Sequence, residues 1–220
     1  MCPVCNDLGY YRLDVPVYDE RFGRMIRCQC RQLADARHWQ QLHGSPMMGV
    51  TLVDVMVRGE QSSEMKQVAG EFINQRQGYL TIWGTNGNGK STTLQSIANE
   101  CMAAGIAALY VTAFDLMEYV KDGFDKDVSA DDRIRQLGEI PVLCVDELLG
   151  FEWSKYDSKM LGVLLDRRYA YRHELGTVVA MDKNPRKHLE NRISSRLASG
   201  RVVYIEETDM RPLLGGNHGI

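Results

Sequence analysis

Apolar side chains recur along this sequence in two rhythms. Met65, Val68, Ala69, Phe72 and Ile73 fall at helical spacing within residues 62–76, and Gly78 closes that pattern. Residues 79–83 then form a short, mostly apolar run of the kind a strand buried on both faces requires. Similar runs at 106–111, 142–145, 177–181 and 202–205 predict further strands, and helical patterns at 91–104 and 159–171 fall between them. Strands alternating with helices predict an α/β fold, a mainly parallel sheet flanked by helices.

The first thirty residues share neither rhythm, so a segment this short needs a staple to hold a fold. Residues 31–43 have helical character and end at Gly44-Ser45-Pro46, a strong stop that reads as the end of a connecting helix. The acidic stretch from Lys121 to Asp132 reads as a solvated loop and helix start, and residues 215–220 as a loose tail. The expected organisation is a small module with its linker helix over 1–43, a larger α/β domain over 44–214, and a tail over 215–220.

The chain has 220 residues, 44% hydrophobic and 25% charged, which suits a globular domain with a core and excludes a disordered chain. A net charge of −3 and an isoelectric point near 6.0 provide no global basic field for nucleic acid, leaving only a local groove for such contact. Neither a basic leader nor an apolar run long enough for a bilayer is present, so a cytoplasmic protein without membrane contact is expected.

Gly84-Thr85-Asn86-Gly87-Asn88-Gly89-Lys90-Ser91 fits G-x-x-x-x-G-K-[ST] and lies between a strand pattern and a helix pattern, the context that separates a P-loop from a chance glycine turn. Glycines let backbone N–H groups curl around phosphate oxygens, and the following helix N-terminus adds partial positive charge. Lys90 is expected at the β- and γ-phosphates of ATP and the Ser91 hydroxyl on Mg²⁺, with Thr92 a weaker nucleotide contact. Pro141-Val142-Leu143-Cys144-Val145-Asp146-Glu147 ends an apolar strand in two carboxylates, as a Walker B segment does. Asp146 would hold Mg²⁺ through water, and Glu147 would polarise the attacking water. Asp182, at the end of the 177–181 strand, stands where a γ-phosphate sensor is placed in such ATPases, although a structural capping role fits it equally.

Six cysteines are present, four of them in two close pairs near the N-terminus. Cys2 and Cys5 form a C-x-x-C knuckle and Cys28 and Cys30 a C-x-C, a set suited to tetrahedral Zn²⁺ in a small hairpin-bearing module. Redox-active thiols, disulfides and an iron–sulfur cluster are the competing readings. His38 and His43 read as helix-surface residues, and Cys101 and Cys144 as small buried hydrophobes.

Taken as an ordered set, Cys2-Pro3-Val4-Cys5 with Cys28-Gln29-Cys30, then residues 84–91, 142–147, Leu164-Leu165-Asp166-Arg167-Arg168-Tyr169 and Arg192 to Leu197, the chain resembles the DnaC/DnaI-type replicative helicase loaders, AAA+ ATPases related to IstB transposition ATPases. The resemblance implies an AAA+ P-loop fold without a full lid domain, slow partner-stimulated ATP hydrolysis and homo-oligomers. It also implies an N-terminal zinc module contacting a replicative hexameric helicase that is delivered to single-stranded DNA. It further implies an arginine finger at Arg196, with Arg192 second, and a low-ranking sensor 2 substitute at Arg211. One departure stands out. The family ends the sensor strand with asparagine, whereas Asp182 is acceptor-only when ionised and repels a γ-phosphate, so sensing would weaken or pass to Lys183 or Asn184. An IstB-like transposition ATPase, a nucleotide-switched adaptor with little hydrolysis and a P-loop kinase remain the alternatives. Arg167, Arg168 and Arg172 on one helix are the cations available for DNA, or else a solvated or intersubunit face.

Overall fold

The computed structural model describes residues 1–19, 22–42, 49–122 and 129–207. The Gly44-Ser45-Pro46 stop, His43, residues 123–128 of the acidic stretch, Arg211 and the 215–220 tail lie outside the described residues. In chain order the elements are β1 (Tyr10–Tyr11), β2 (Ile26–Arg27), α1 (Gln29–Leu42), a 3₁₀ turn (Leu52–Asp54), α2 (Glu60–Gln75), β3 (Gly78–Gly84), α3 (Lys90–Ala103), β4 (Ala108–Thr112), α4 (Ala113–Lys121), α5 (Ala130–Glu139), β5 (Val142–Asp146), α6 (Lys155–Ala170), β6 (Gly176–Met181), α7 (Pro185–His188), α8 (Asn191–Leu197) and β7 (Arg201–Ile205).

Five strands form one sheet in the order β4-β5-β6-β3-β7, parallel at every described pairing. Successive side chains on a strand point to opposite faces. Tyr79, Leu109, Leu143, Val145 and Val179 therefore face a core made with α4, α5, α6 and α8. Leu80, Ile82, Cys144, Val178 and Ala180 face a second core made with α2 and α3. Two buried faces explain why the strands read as nearly continuous apolar runs rather than alternating ones. Cys101 and Cys144 are fully buried in the second core, as expected, and burial pushes the Cys101 thiol up to about 11.

Local rules set several boundaries that hydrophobic spacing left open. α6 begins at Lys155, ahead of the predicted 159, because Ser154 and Asp157 close a capping box: the Asp157 N–H donates to Ser154 Oγ (3.1 Å), and Ser154 N–H donates back to Asp157 Oδ2 (3.2 Å). α5 begins behind Ser129, which caps the Asp132 N–H, with Asp131 and Asp132 in its first turn. α7 starts with Asn184 accepting from Arg186 N–H and Pro185 at its first position.

One assignment is corrected. Arg168 is not a surface cation available to DNA; it is fully buried. Its guanidinium donates to Thr177 Oγ1 (2.8 Å), Leu137 O (3.0 Å), Ile140 O (2.8 Å) and Gly176 O (2.5 Å), tying α6 to α5 and to the start of β6. Burial lowers this guanidinium to about 10, so it remains charged at neutral pH.

The N-terminal region folds differently. Tyr10–Tyr11 pair antiparallel with Ile26–Arg27, the expected hairpin, but the ladder is two residues long. Cys5, Gly9 and Cys28 are the buried residues among the described ones up to Cys30, while Leu8, Val17, Tyr18, Phe22 and Met25 are exposed. α1 starts at Gln29, which places Cys30 in its first turn, and it packs on β4 of the five-stranded sheet rather than standing apart. Gln29 and Gln32 donate to the carbonyls of Gly105 (3.2 Å) and Glu139 (3.4 Å), and Trp39 meets Tyr119 edge-on at 6.2 Å.

Candidate functional site

The carboxyl ends of β3, β5 and β6 open into one cleft of about 550 Å³. Crevices at such strand ends are the general ligand position of open parallel sheets. Because β6 lies between β3 and β5, its terminal residue stands between the glycine-rich loop and the Asp146-Glu147 pair. Asn86 through Thr92, Asp146, Glu147 and Asp182 all line the cleft, so the structure brings together most of the expected residues. Gly84 and Thr85 shape the loop from below.

Gly84 has φ +146°, and a Cβ there would lie 1.8 Å from the Ile205 carbonyl oxygen, so β7's approach requires glycine. Thr85 N–H donates to that same oxygen (3.1 Å), anchoring the loop base. Gly87 and Gly89 take φ +78° and +77°, left-handed turns that aim backbone N–H groups inward before α3 begins at Lys90. Asn88 braces the loop from inside: it is 1% exposed and donates to Thr85 O (3.1 Å) and Thr85 Oγ1 (2.6 Å). Lys90 is largely buried, its ammonium donating to the carbonyls of Gly84 (2.9 Å) and Thr85 (2.5 Å).

Asp146 is 3% exposed, with both carboxylate oxygens engaged: Oδ1 accepts from the Glu147 N–H (2.8 Å) and Oδ2 from the Tyr110 hydroxyl (2.8 Å). Glu147 is exposed and left-handed (φ +52°), a conformation held by Gly150 N–H donating to its carbonyl (2.8 Å) and Leu148 N–H donating to Ala180 O (3.0 Å). Non-glycine residues held this way cluster at working sites. Ser91 beside Asp146 is the oxygen donor set that suits Mg²⁺. Asn184, one alternative sensor, is occupied capping α7, and neither Lys183 nor Asn184 lines the cleft; Asp182 is the polar residue that does.

Arg196 and Arg192 lie outside this cleft. Both pair with Asp166 on α6, Arg196 Nε at 3.1 Å, and the Arg196 guanidinium lies 4.2 Å over the Tyr169 ring. In the single chain both arginines are thus held by a local ion pair.

Sequence reasoning missed one wall. Val50, Asp54 and Met56 also line the cleft. Asn99 donates to Val50 O (2.7 Å) and Glu100 accepts from Leu52 N–H (2.7 Å), so α3 itself tethers this segment. Thr51 caps the turn through Asp54, whose carboxyl is held below its ordinary value by the Thr51 N–H and hydroxyl. A T-x-x-D capping signal was legible there, but its apposition to the loop depends on contacts nearly fifty residues apart.

The four N-terminal cysteines converge, each Sγ within 4.8 Å of the others, with Cys2–Cys28 at 3.7 Å and Cys5–Cys30 at 3.4 Å. A Zn–S bond of about 2.3 Å implies tetrahedron edges of about 3.8 Å, so the cluster fits Zn²⁺ and its spacings are far too long for disulfides. Asn6 and Asp7 turn through left-handed conformations (φ +50° and +65°) directly after Cys5, and Gly9 N–H donates to Cys5 Sγ (3.3 Å). Backbone N–H groups of Cys5 and Val4 lower the Cys2 thiol to about 6, whereas its neighbours hold Cys30 up at about 12. Four thiolates cannot share this space without a cation.

Fold and cleft together define a P-loop nucleotide-binding domain of the AAA+ kind. No family model matches the chain. The replicative helicase loader DnaC of Escherichia coli (strain K12) is 25% identical over 145 residues, covering 65% of this chain and 59% of that protein. This chain therefore spans about three fifths of the length of the curated relative it matches. Among solved structures, DnaI superposes with a TM-score of 0.61 at 20% identity, covering 75% of this chain and 92% of the other. The replication initiator DnaA bound to AMPPCP and single-stranded DNA superposes at 0.66 with 22% identity, covering 73% and 51%. The chain thus resembles the DnaC helicase loader in sequence and shares the fold of the DnaI and DnaA structures. No helix among the described residues is long and apolar enough to cross a membrane.

Proposed function

We propose that this protein is an ATP-dependent loader of a replicative ring helicase. Residues 1–43 would form the helicase-contacting zinc module and its linker helix, residues 44–214 the ATPase domain, and residues 215–220 a tail. The observation that carries this reading is the joining of two sites in one chain, a nucleotide cleft with Asp146 and Glu147 beside the P-loop and a four-cysteine module that turns its apolar residues outward. The name of the DnaC relative, and the single-stranded DNA in the DnaA neighbour, support a helicase and single-stranded DNA as partners.

In the cleft, the loop N–H groups and Lys90 would bind the ATP phosphates, with Val50 and Met56 as apolar flanks for the base. Mg²⁺, held by Ser91 and through water by Asp146, would supply positive charge beside the transferring phosphoryl. Glu147 would orient and deprotonate the attacking water. Hydrolysis would be completed between subunits, Arg196 of one chain reaching the γ-phosphate of its neighbour after exchanging Asp166 for phosphate, with Arg192 as second choice. Zn²⁺ on Cys2, Cys5, Cys28 and Cys30 would be structural, since four protein ligands leave no open position. The protein would work in the cytoplasm as an oligomer on the helicase.

One observation favours a second reading. Asp182 faces the cleft at the sensor position, and a carboxylate there opposes a γ-phosphate, which fits a nucleotide-switched adaptor that hydrolyses little. Light scattering on the chain mixed with its own organism's replicative helicase, with and without ATP, tests the main proposal. A nucleotide-sensitive complex supports it; absence of any complex in every nucleotide state would sink it and leave the adaptor or an IstB-like transposition ATPase.

A further inference from the structure

We infer that Tyr110 is a positioning residue that fixes the Asp146 carboxylate in the orientation from which it receives Mg²⁺-bound water. This rests on the reading of the cleft as an ATP·Mg²⁺ site. Tyr110 is on β4, one strand away from Asp146, and the register pairs Tyr110 with Cys144 and Thr112 with Asp146. The hydroxyl therefore crosses diagonally, two residues toward the carboxyl end of the sheet, on the face shared by Tyr110, Cys144 and Asp146. A tyrosine spans that distance; a shorter donor such as serine does not. Its ring packs against the core formed with α2 and α3, so the side chain is held by its body and presents only its hydroxyl.

The hydrogen bond runs from the phenol to Asp146 Oδ2 at 2.8 Å, while the Glu147 N–H takes Oδ1 at 2.8 Å. One donor on each oxygen restrains the carboxylate, and each oxygen keeps further lone-pair capacity. At 3% exposure the carboxylate has little bulk water to replace a lost donor. Mg²⁺ demands near-ideal octahedral geometry and keeps several of its waters, so the acceptor receiving those waters has to be oriented in advance. A phenol, with an ordinary pKa of about 10, is a donor at neutral pH.

Tyr110→Phe keeps the ring and removes the donor. Binding of a fluorescent ATP analogue is measured against Mg²⁺ concentration and again in EDTA, on the full chain. The expected result is a roughly tenfold rise in the Mg²⁺ concentration at half-saturation, the scale of losing a hydrogen bond to a charged group, with binding in EDTA unchanged. Mn²⁺, which binds such donor sets more tightly, should narrow the gap. In an Asp146→Asn background, Tyr110→Phe should add nothing further, because the residue acts through that carboxylate. The double variant also serves if Tyr110→Phe alone folds poorly, since it leaves no buried charge without its donor. An unchanged Mg²⁺ half-saturation, an additive effect in the double variant, or an equal loss of binding in EDTA would each overturn the inference. Wild-type protein that binds no ATP analogue in either condition would instead overturn the underlying cleft assignment.

Discussion

The P-loop domain and the cysteine module of this chain solve the same folding problem by opposite means. The domain buries both faces of a five-stranded sheet, and its strands carry Leu80, Ile82, Leu143, Val178 and Val179 at no more than 1% exposure. Each such side chain contributes about 1.5–3 kcal/mol on burial, and these increments accumulate across two cores. Up to Cys30 the module's described buried residues are two cysteines and a glycine, and its strands are two residues long. Its apolar residues face outward instead, where a partner can use them. A chain segment that turns its hydrophobic residues to its surface needs another source of order, and the four thiols provide the place for one.

That comparison breaks most visibly if the metal is removed. Chelation, or Cys5→Ser, is expected to abolish amide-exchange protection in residues 1–28 while leaving β3, β5 and β6 protected, because structural zinc binding is worth on the order of 10–16 kcal/mol to such a module. One zinc per chain by elemental analysis is the accompanying expectation. Uniform loss of protection across both regions would contradict the division.

The domain should answer to different changes. Arg168→Leu removes the donor to three backbone carbonyls and Thr177, which would be left buried without a partner. A loss of about 3–5 kcal/mol in denaturant unfolding of the domain is expected, with the module's zinc content unchanged. Lys90→Ala should lower ATP turnover by on the order of 10²–10³ while leaving stability nearly intact, since the proposed partners of the lysine are the phosphates rather than the core.

These contrasts also explain what the sequence disclosed. The sheet was legible because Cys144 and its neighbours form continuous apolar runs, and the cleft because Gly84 to Ser91 and Asp146-Glu147 carry their chemistry in local spacing. The convergence of the four N-terminal cysteines was legible for the same reason. What stayed hidden depends on pairings distant in sequence. Arg168 reads as one more cation on a charged helix, and only the packing of α5 and β6 against α6 reveals it as a buried clamp. The Val50 to Met56 wall needs Asn99 and Glu100 to hold it, and Tyr110 reads simply as a strand residue until β4 is set beside β5. α7 and α8 are too short for periodicity to mark them: α7 is set by its Asn184 cap, and α8 starts without a side-chain cap.

Smaller effects sharpen the comparison. Asp182→Asn replaces a carboxylate facing the cleft by an amide that can donate, and a several-fold rise in ATP turnover is expected; an unchanged rate would remove Asp182 from the sensing role. In the native protein at pH 8, Cys101 and Cys144 should resist alkylation, because both are buried and their thiols are raised above the ordinary value. The four module cysteines should become reactive on chelation alone.

The central claim is that one chain carries a nucleotide site encoded by packing and a helicase grip encoded by cysteines. The most direct test measures helicase capture and ATP-analogue affinity on the same full-length sample before and after chelation of zinc. The account predicts that capture is lost while ATP affinity stays within about twofold, because the cleft residues come from the 50–56 segment, the glycine-rich loop, α3 and the ends of β5 and β6, and none of the described ones from the module. Capture that survives chelation, or ATP affinity that falls together with it, would contradict the account.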